Sequence, residues 1–275
     1  MINYISSTQN PKIKNLLLLQ QKSSHRKEQG LFIVEGRREI MHCVNAGYEL
    51  NSVFFCPEIL GTNVSNNESE VAKEILSRKG TCKLFEVNKD VYNKIAYRQS
   101  TEGIIAEVKV PNKTLTDLKL KENPLIIVLE SVEKPGNLGA VLRSADACGA
   151  DAVIVCDPLT DLYNPNLIRS SIGAIFTVPC VTSSSQECID YLKEKDIQIL
   201  TAQLQDSEVY YDCNMKKGTA IIMGTESTGL KNIWREAADK HIRIPMLGSL
   251  DSLNVSVSAA ILLFEALRQR QNTKA

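Results

Sequence analysis

Two rhythms of apolar residues alternate along the chain. Short, nearly continuous apolar runs fall at 31–34, 51–55, 83–87, 104–108, 125–129, 152–155, 177–181, 198–201 and 219–223. Runs of that length, bounded by turn residues, predict strands. Between most of them apolar positions return every three or four residues, the spacing of helices that bury one stripe. Helices are expected from Asn10 onward, over 36–46 and 70–78, from Asn137, and from about Asn254, while polar 61–69 reads as an exposed loop. Such alternation implies an α/β fold. The run 125–129 lacks any polar alternation, as expected for the centre of a parallel sheet covered on both faces. A lysine-rich stretch of weak periodicity, 111–123, reads as a linker between a domain at 1–110 and a doubly wound one at 124–275.

Composition narrows the picture less than pattern does. With 275 residues, 43% of them apolar and 23% charged, the chain has the make-up of a globular protein. No apolar run approaches the roughly 18 to 20 residues of a bilayer span, and the apolar stretch near the start is too short for a signal-peptide core. A cytoplasmic protein is expected. Eight cysteines without a C-x-x-C pair read as reduced core residues, and no metal is expected. His25, His42 and His241 are isolated and read as surface or helix-face residues. The 32 basic and 32 acidic side chains cancel. Residues 1–40, however, hold Lys12, Lys14, Lys22, Arg26, Lys27, Arg37 and Arg38 against three glutamates. That excess could be a solvated helix face or a phosphate-binding patch.

In open α/β sheets, ligands bind where strands end and loops cross to helices. Three such places concentrate polar and glycine residues. Glu130-Ser-Val-Glu-Lys-Pro-Gly-Asn-Leu-Gly-Ala-Val-Leu-Arg143 follows the run 125–129; Asn137 is placed to cap a helix, and Arg143 falls off its buried stripe. Gly224-Thr-Glu-Ser-Thr-Gly-Leu230 follows 219–223. Its glycines permit close backbone approach, and Glu226 could be a cap, a ribose acceptor or an arginine's partner. Phosphate-loop signatures are missing, because Leu230 stands where a P-loop needs lysine. Third, Ser252, Asn254, Ser256 and Ser258 crowd one helix start, more polar groups than capping requires.

Together, in this order and spacing, the three segments resemble the SpoU (TrmH-like) family of RNA ribose 2′-O-methyltransferases. The resemblance covers 124–270. More weakly, Asn10-Pro-Lys-Ile-Lys, Phe32-Ile-Val-Glu-Gly-Arg and Thr101-Glu-Gly-Ile-Ile-Ala make 1–110 similar to the substrate-binding domain of many members. The family implies a Rossmann-like domain closed by a deep trefoil knot through 224–229 and 247–258, which sequence reasoning alone would exclude because knots are so rare. It implies S-adenosylmethionine as methyl donor, held by backbone near Thr201, Met223, Gly224, Ile244, Met246 and Leu253. It implies a homodimer whose partner borders the site. By the same carry-over, Arg143 steers the 2′-hydroxyl, Asn137 and Ser252 position arginine and ribose, Asn254 orders the site, and Glu226 supports the arginine or its loop. Ser227 departs from a position that is often glycine.

On this reading Lys12, Lys14, Arg26, Arg37 and Arg38 become candidate RNA-backbone contacts, with Tyr97 and Arg98 as stacking candidates. The separate first domain leans towards ribosomal RNA over tRNA. A non-catalytic RNA-binding protein of this fold and a nucleotide-dependent α/β enzyme are the rival readings; the intact polar set argues against the first and the missing phosphate loops against the second.

Overall fold

The computed structural model describes residues 2–61, 75, 82–97, 102–225, 228–249 and 252–271. The chain divides into two compact units, Met1–Asn112 with Leu162–Arg169, and Lys113–Asp161 with Ser170–Ala275.

In the first unit, strands β1 (Ile2–Ile5), β2 (Leu31–Glu35), β3 (Leu50–Phe55), β4 (Lys83–Val87) and β5 (Ile104–Lys109) form one mixed sheet in the order β1-β4-β3-β5-β2. Helix Pro11–Gln21 starts where Asn10 accepts a hydrogen bond from the Lys12 amide at 2.9 Å and Pro11 takes the first helical position. Its Ile13, Leu16 and Leu19 are fully buried against Phe54, Phe85 and Tyr92. The Phe54 and Phe85 rings stack at 5.0 Å. Tyr163, from the returning segment, stacks on Phe32 at 4.2 Å.

The second unit is a seven-stranded sheet in which every pairing is parallel. Strands β6 (Leu125–Glu130), β7 (Ala152–Cys156), β8 (Cys180–Ser183), β9 (Gln198–Ala202), β10 (Glu208–Val209), β11 (Thr219–Met223) and β12 (Lys240–Arg243) take the order β10-β12-β9-β11-β6-β7-β8. Helices Pro135–Cys148 and Val255–Gln271 pack on each other and on β6, β7 and β11. Helices Ser185–Glu194 and Asn232–Ala237 pack together against β7 and β9, sealing a core that includes Ile126, Val128, Ile154, Ile222 and fully buried Trp234. Coverage on both faces accounts for the unbroken apolar runs: every residue of β6, β7 and β11 is buried. The strand order reverses between β6 and β11, which makes that junction the topological switch point.

Three expectations need correction. Helix Pro135–Cys148 begins two residues before Asn137, because Pro135 suits its first position, so Asn137 is not the cap. The run 177–181 is not one strand: Thr177 closes the short helix Ala174–Thr177, and β8 starts at Cys180. β1, β10 and β12 had no legible signal, since β1 is exposed at three of its four residues and β12 buries only Ile242. Of the expected loop 61–69 and helix 70–78, all but Gly61 and the buried, helical Ile75 lies outside the described residues. All eight cysteines are thiols and seven are buried. Among the described residues no helix is long and apolar enough to cross a membrane.

Close packing around Gly139 explains its place in the helix: an added Cβ would come within 2.8 Å of the Ser171 backbone nitrogen and of the Ser170 side chain. Gly139→Ala should therefore destabilise the protein by about 2 kcal/mol, the typical cost of overpacking, despite the better helix propensity of alanine. Urea unfolding of the two proteins measures it; an alanine variant as stable as the parent would show that the contact yields freely.

Candidate active site

The C-terminal ends of the parallel strands surround two adjoining hollows in the second unit. The first, about 150 Å³, has its floor at the ends of β9, β11 and β12, represented by Ala202, Met223 and Ile242. Gly224, Thr225 and Gly229 form one wall, and Ile244, Met246, Ser252 and Leu253 another. Arg243 is the charged side chain among its described lining residues, so the surroundings are largely apolar side chain and backbone. The second hollow, about 130 Å³, is lined by Ser131, Val132, Glu133, Lys134 and Asn137 on one side and shares Gly224, Thr225 and Val255 with the first.

Glycine is required where the two meet. A Cβ on Gly224 would lie 2.4 Å from the Gly229 carbonyl carbon, so only a bare backbone lets the loop close on itself through the Thr225–Gly229 bridge. Gly229 has φ +67°, in the left-handed region. Ser131, at φ 52°, turns the chain sharply out of β6 into the second hollow.

Asn254 accounts for part of the crowded polar segment. Its Oδ1 accepts hydrogen bonds from the Ser256 amide at 2.9 Å and the Ser256 hydroxyl at 2.6 Å, which caps the last helix. Its Nδ2 donates to Asn137 Oδ1 at 3.2 Å. One side chain thus caps its own helix and ties that helix start to the first turn of Pro135–Cys148. This bridge is open to Asn137 because the helix starts at Pro135.

The structure gathers Met223, Gly224, Ile244, Met246, Ser252 and Leu253 around the first hollow, and places Asn137 in the second beside the Asn254 that it bonds. Thr201 is not in either lining. It is fully buried, with its hydroxyl 2.6 Å from His241 Nδ1 across the β9–β12 pair, and the next residues, Ala202 and Gln203, reach the hollow instead. Arg143 is exposed, outside both linings, and without a hydrogen-bonding partner among the described residues. Glu226, Ser227 and Arg98 lie outside the described residues.

In the first unit the basic candidates separate by burial. Arg26 is 3% exposed and donates to the Leu19 and Gln20 carbonyls at the end of helix Pro11–Gln21. Arg37 is 5% exposed, with its guanidinium on the Glu102 carbonyl. Neither is presented to an RNA backbone, because each guanidinium is buried on carbonyls of its own unit. Lys12, Lys14 and Arg38 are exposed. The Lys12 ammonium lies 4.9 Å from the Phe85 ring centre, and Arg38 pairs with Glu39. Tyr97 is 39% exposed and donates its hydroxyl to Asn166 at 2.6 Å.

Sequence reasoning passed over a polar cluster behind the loop. Glu130, 1% exposed at the end of β6, accepts the Lys231 amide at 3.0 Å. Lys231 Nζ lies 3.1 Å from Asp157 and 3.5 Å from Glu130, and Ser185 donates to Asp157 at 2.7 Å while accepting from the Trp234 indole at 3.1 Å. The hydrogen bond to Asp157 raises the Lys231 ammonium above its ordinary pKa. Burial opposes ionisation of Asp157, but hydrogen bonds from Ser185 and Lys231 outweigh it and hold the carboxyl below the usual value. The available signal was a single carboxylate closing an otherwise apolar strand. Among the described residues no group of three or more His, Cys, Asp or Glu side chains could hold a metal.

A parallel α/β sheet with paired hollows at its switch point has the geometry of a ligand-binding fold. Residues 124–264 match the model of the SpoU rRNA Methylase family, and 10–106 that of an MRM3-like substrate binding domain. The chain belongs to the SpoU family. It is similar to a 23S rRNA (guanosine(2553)-2′-O)-methyltransferase, RlmP, of Bacillus subtilis (strain 168), 28% identical with 94% of this chain and 97% of the relative covered. A solved RNA 2′-O ribose methyltransferase is 40% identical, with 98% and 99% covered and a TM-score of 0.80. An AdoMet-bound rRNA methyltransferase from Sinorhizobium meliloti is 26% identical, with 97% and 98% covered and a TM-score of 0.86.

Proposed function

We propose that the protein transfers a methyl group from S-adenosylmethionine to a ribose 2′-hydroxyl of ribosomal RNA. The observation that carries this reading is the pair of hollows that meet at Gly224–Thr225, one largely apolar and the other bordered by Asn137, Glu133 and Lys134. Methyl transfer from a sulfonium is an in-line displacement: the hydroxyl oxygen bonds the methyl carbon as the carbon–sulfur bond breaks, and the thioether leaves neutral. The protein's task is therefore to align donor and acceptor and to assist loss of one proton. Donor in the first hollow and ribose in the second would approach each other across Gly224. Met223, Gly224, Ile244, Met246 and Leu253 line the donor's place, and Ser252 lies at its edge.

Asn137 and Asn254 hold the two helix starts beside the acceptor, while Arg143, exposed and outside both hollows, takes from the family resemblance the role of orienting the ribose and a neighbouring phosphate. A guanidinium stays protonated, so it steers rather than accepts, and the hydroxyl proton passes to phosphate or water. Glu226 supports the arginine or the loop. The family's trefoil knot through 224–229 and 247–258 is part of the same reading; residues of both segments, Gly224 and Gly229 from one and Ser252 and Leu253 from the other, line the donor hollow. So is a cytoplasmic setting, supported by the buried thiols. Deleting the gene should remove a 2′-O-methyl mark from ribosomal RNA in a transcriptome-wide methylation map. Arg143→Ala should fail to restore it while binding the donor with near-parental affinity by calorimetry. Loss of a tRNA mark instead would reassign the substrate, and parallel loss of donor binding would make Arg143 structural.

Of the five residues named as RNA contacts, Lys12, Lys14 and Arg38 are exposed and supply the RNA-backbone contacts of the first domain. Replacing Lys12 and Lys14 with glutamine should weaken RNA binding and flatten the slope of log K against log salt by roughly one to two, one released counterion for each lost phosphate contact. An unchanged slope would retire these lysines as contacts.

The protein acts as a homodimer, with the second copy bordering the site. Val257, Ile261 and Phe264 form a stripe on the last helix, opposite its buried side; Val257 and Phe264 are 47% and 45% exposed, and neighbouring Leu253 reaches the donor hollow. Phe264→Glu should shift the sedimenting species from dimer to monomer. A parent protein that sediments as a monomer at micromolar concentration would dismiss the assembly.

A further inference from the structure

We infer that Glu130 is a positioning residue that sets the gap between the two walls of the acceptor hollow. The inference rests on the acceptor reading above. Glu130 belongs to both walls at once. Its own backbone continues through the left-handed turn at Ser131 into Ser131–Lys134, one side of the hollow. Its carboxylate holds the amide of Lys231, the residue immediately after Leu230, where the Gly224–Leu230 loop ends. The other end of that loop is fixed by β11, whose five residues pair in register with Leu125–Leu129 of β6. Both ends of the loop are thus referenced to one strand, through the β6–β11 ladder on one side and through a single buried carboxylate on the other.

A buried carboxylate left unpaired is costly, which is why this anchor is firm. Glu130 Oε2 has the Lys231 amide, while Oε1 has the Lys231 ammonium at 3.5 Å and, at 3.4 Å, the Ser185 hydroxyl, whose one proton goes to the nearer Asp157. The short, directional contact is the one to the backbone. The ammonium is half-exposed, nearer to Asp157 and secondary. The donor hollow also has this loop as one wall, through Gly224, Thr225 and Gly229, but its floor is built from strand ends and its far wall from 244–253, so a smaller part of it rests on this anchor.

Lys231 has φ −65°, a value that proline adopts, so Lys231→Pro deletes the amide donor at a compatible backbone angle, while Lys231→Met keeps the amide and deletes the ammonium. Glu130→Ala and Lys231→Pro should each lower kcat/KM for RNA about tenfold or more, the scale of a small misplacement of reacting groups. S-adenosylmethionine Kd should stay within about threefold of the parent, a factor that corresponds to well under 1 kcal/mol. Amide exchange in peptides covering 228–234 should rise. Glu130→Gln, which still accepts an N–H, and Lys231→Met should behave as the parent. Full activity of Lys231→Pro would overturn the inference, as would a Glu130→Gln enzyme as impaired as Glu130→Ala, or donor affinity and RNA turnover falling together. Where Glu130→Ala does not fold, the contrast between the proline and methionine variants decides. If the parent protein methylates no RNA, the proposed function fails, and the exchange measurement still shows whether Glu130 holds the loop.

Discussion

Everything at the candidate site depends on the pairing of β6 with β11 at the centre of the sheet. The two strands are distant in sequence, parallel, and buried on both faces, and the order of connections reverses between them. Chains leaving adjacent strands in opposite directions cannot pack over each other, so a crevice remains beyond the strand ends. The segment after β6 and the segment after β11 become its walls. The apolar runs flanking them supply the burial that holds this junction together, and the polar residues that follow each run supply the contents of the crevice.

Glycines and small polar residues at those strand ends are explained by proximity more than by flexibility. Gly224 is bare because the Gly229 carbonyl occupies the space of a side chain, and Gly139 is bare because the Ser170–Ser171 backbone and side chain do so. Asn254 serves as cap and as bridge to Asn137, which accounts for part of the crowding of polar groups at one helix start. Within the first unit, the same accounting turns basic residues into structural ones. Arg26 and Arg37 satisfy carbonyls of their own unit, so a count of positive charges overstates what that surface offers to a polyanion.

Much of the architecture and part of the site were legible in the chain. The strands flanking the site announced themselves because a doubly covered strand must be apolar throughout, and the three strand-end segments stood out because their glycines and amides have no use in a core. The order of those segments carried the reaction class through family resemblance. β12 was invisible: only Ile242 of its four residues is buried, and its place is fixed by pairing with β9. Thr201 is core while the next residue, Ala202, lines the first hollow, since where a strand stops being core and starts being rim depends on its neighbours.

By itself, then, the sequence determined the fully buried strands at the centre of the parallel sheet, and which polar residues cluster at their ends, because both follow from local pattern. Tertiary structure alone decided which of those residues meet. That Asn137 bonds Asn254 across 117 positions, that Glu130 reaches the Lys231 amide, and that Arg26 faces inward are long-range outcomes of packing. No local periodicity encodes them, because the partner of a buried polar group is chosen by what the folded chain brings within about 3 Å of it.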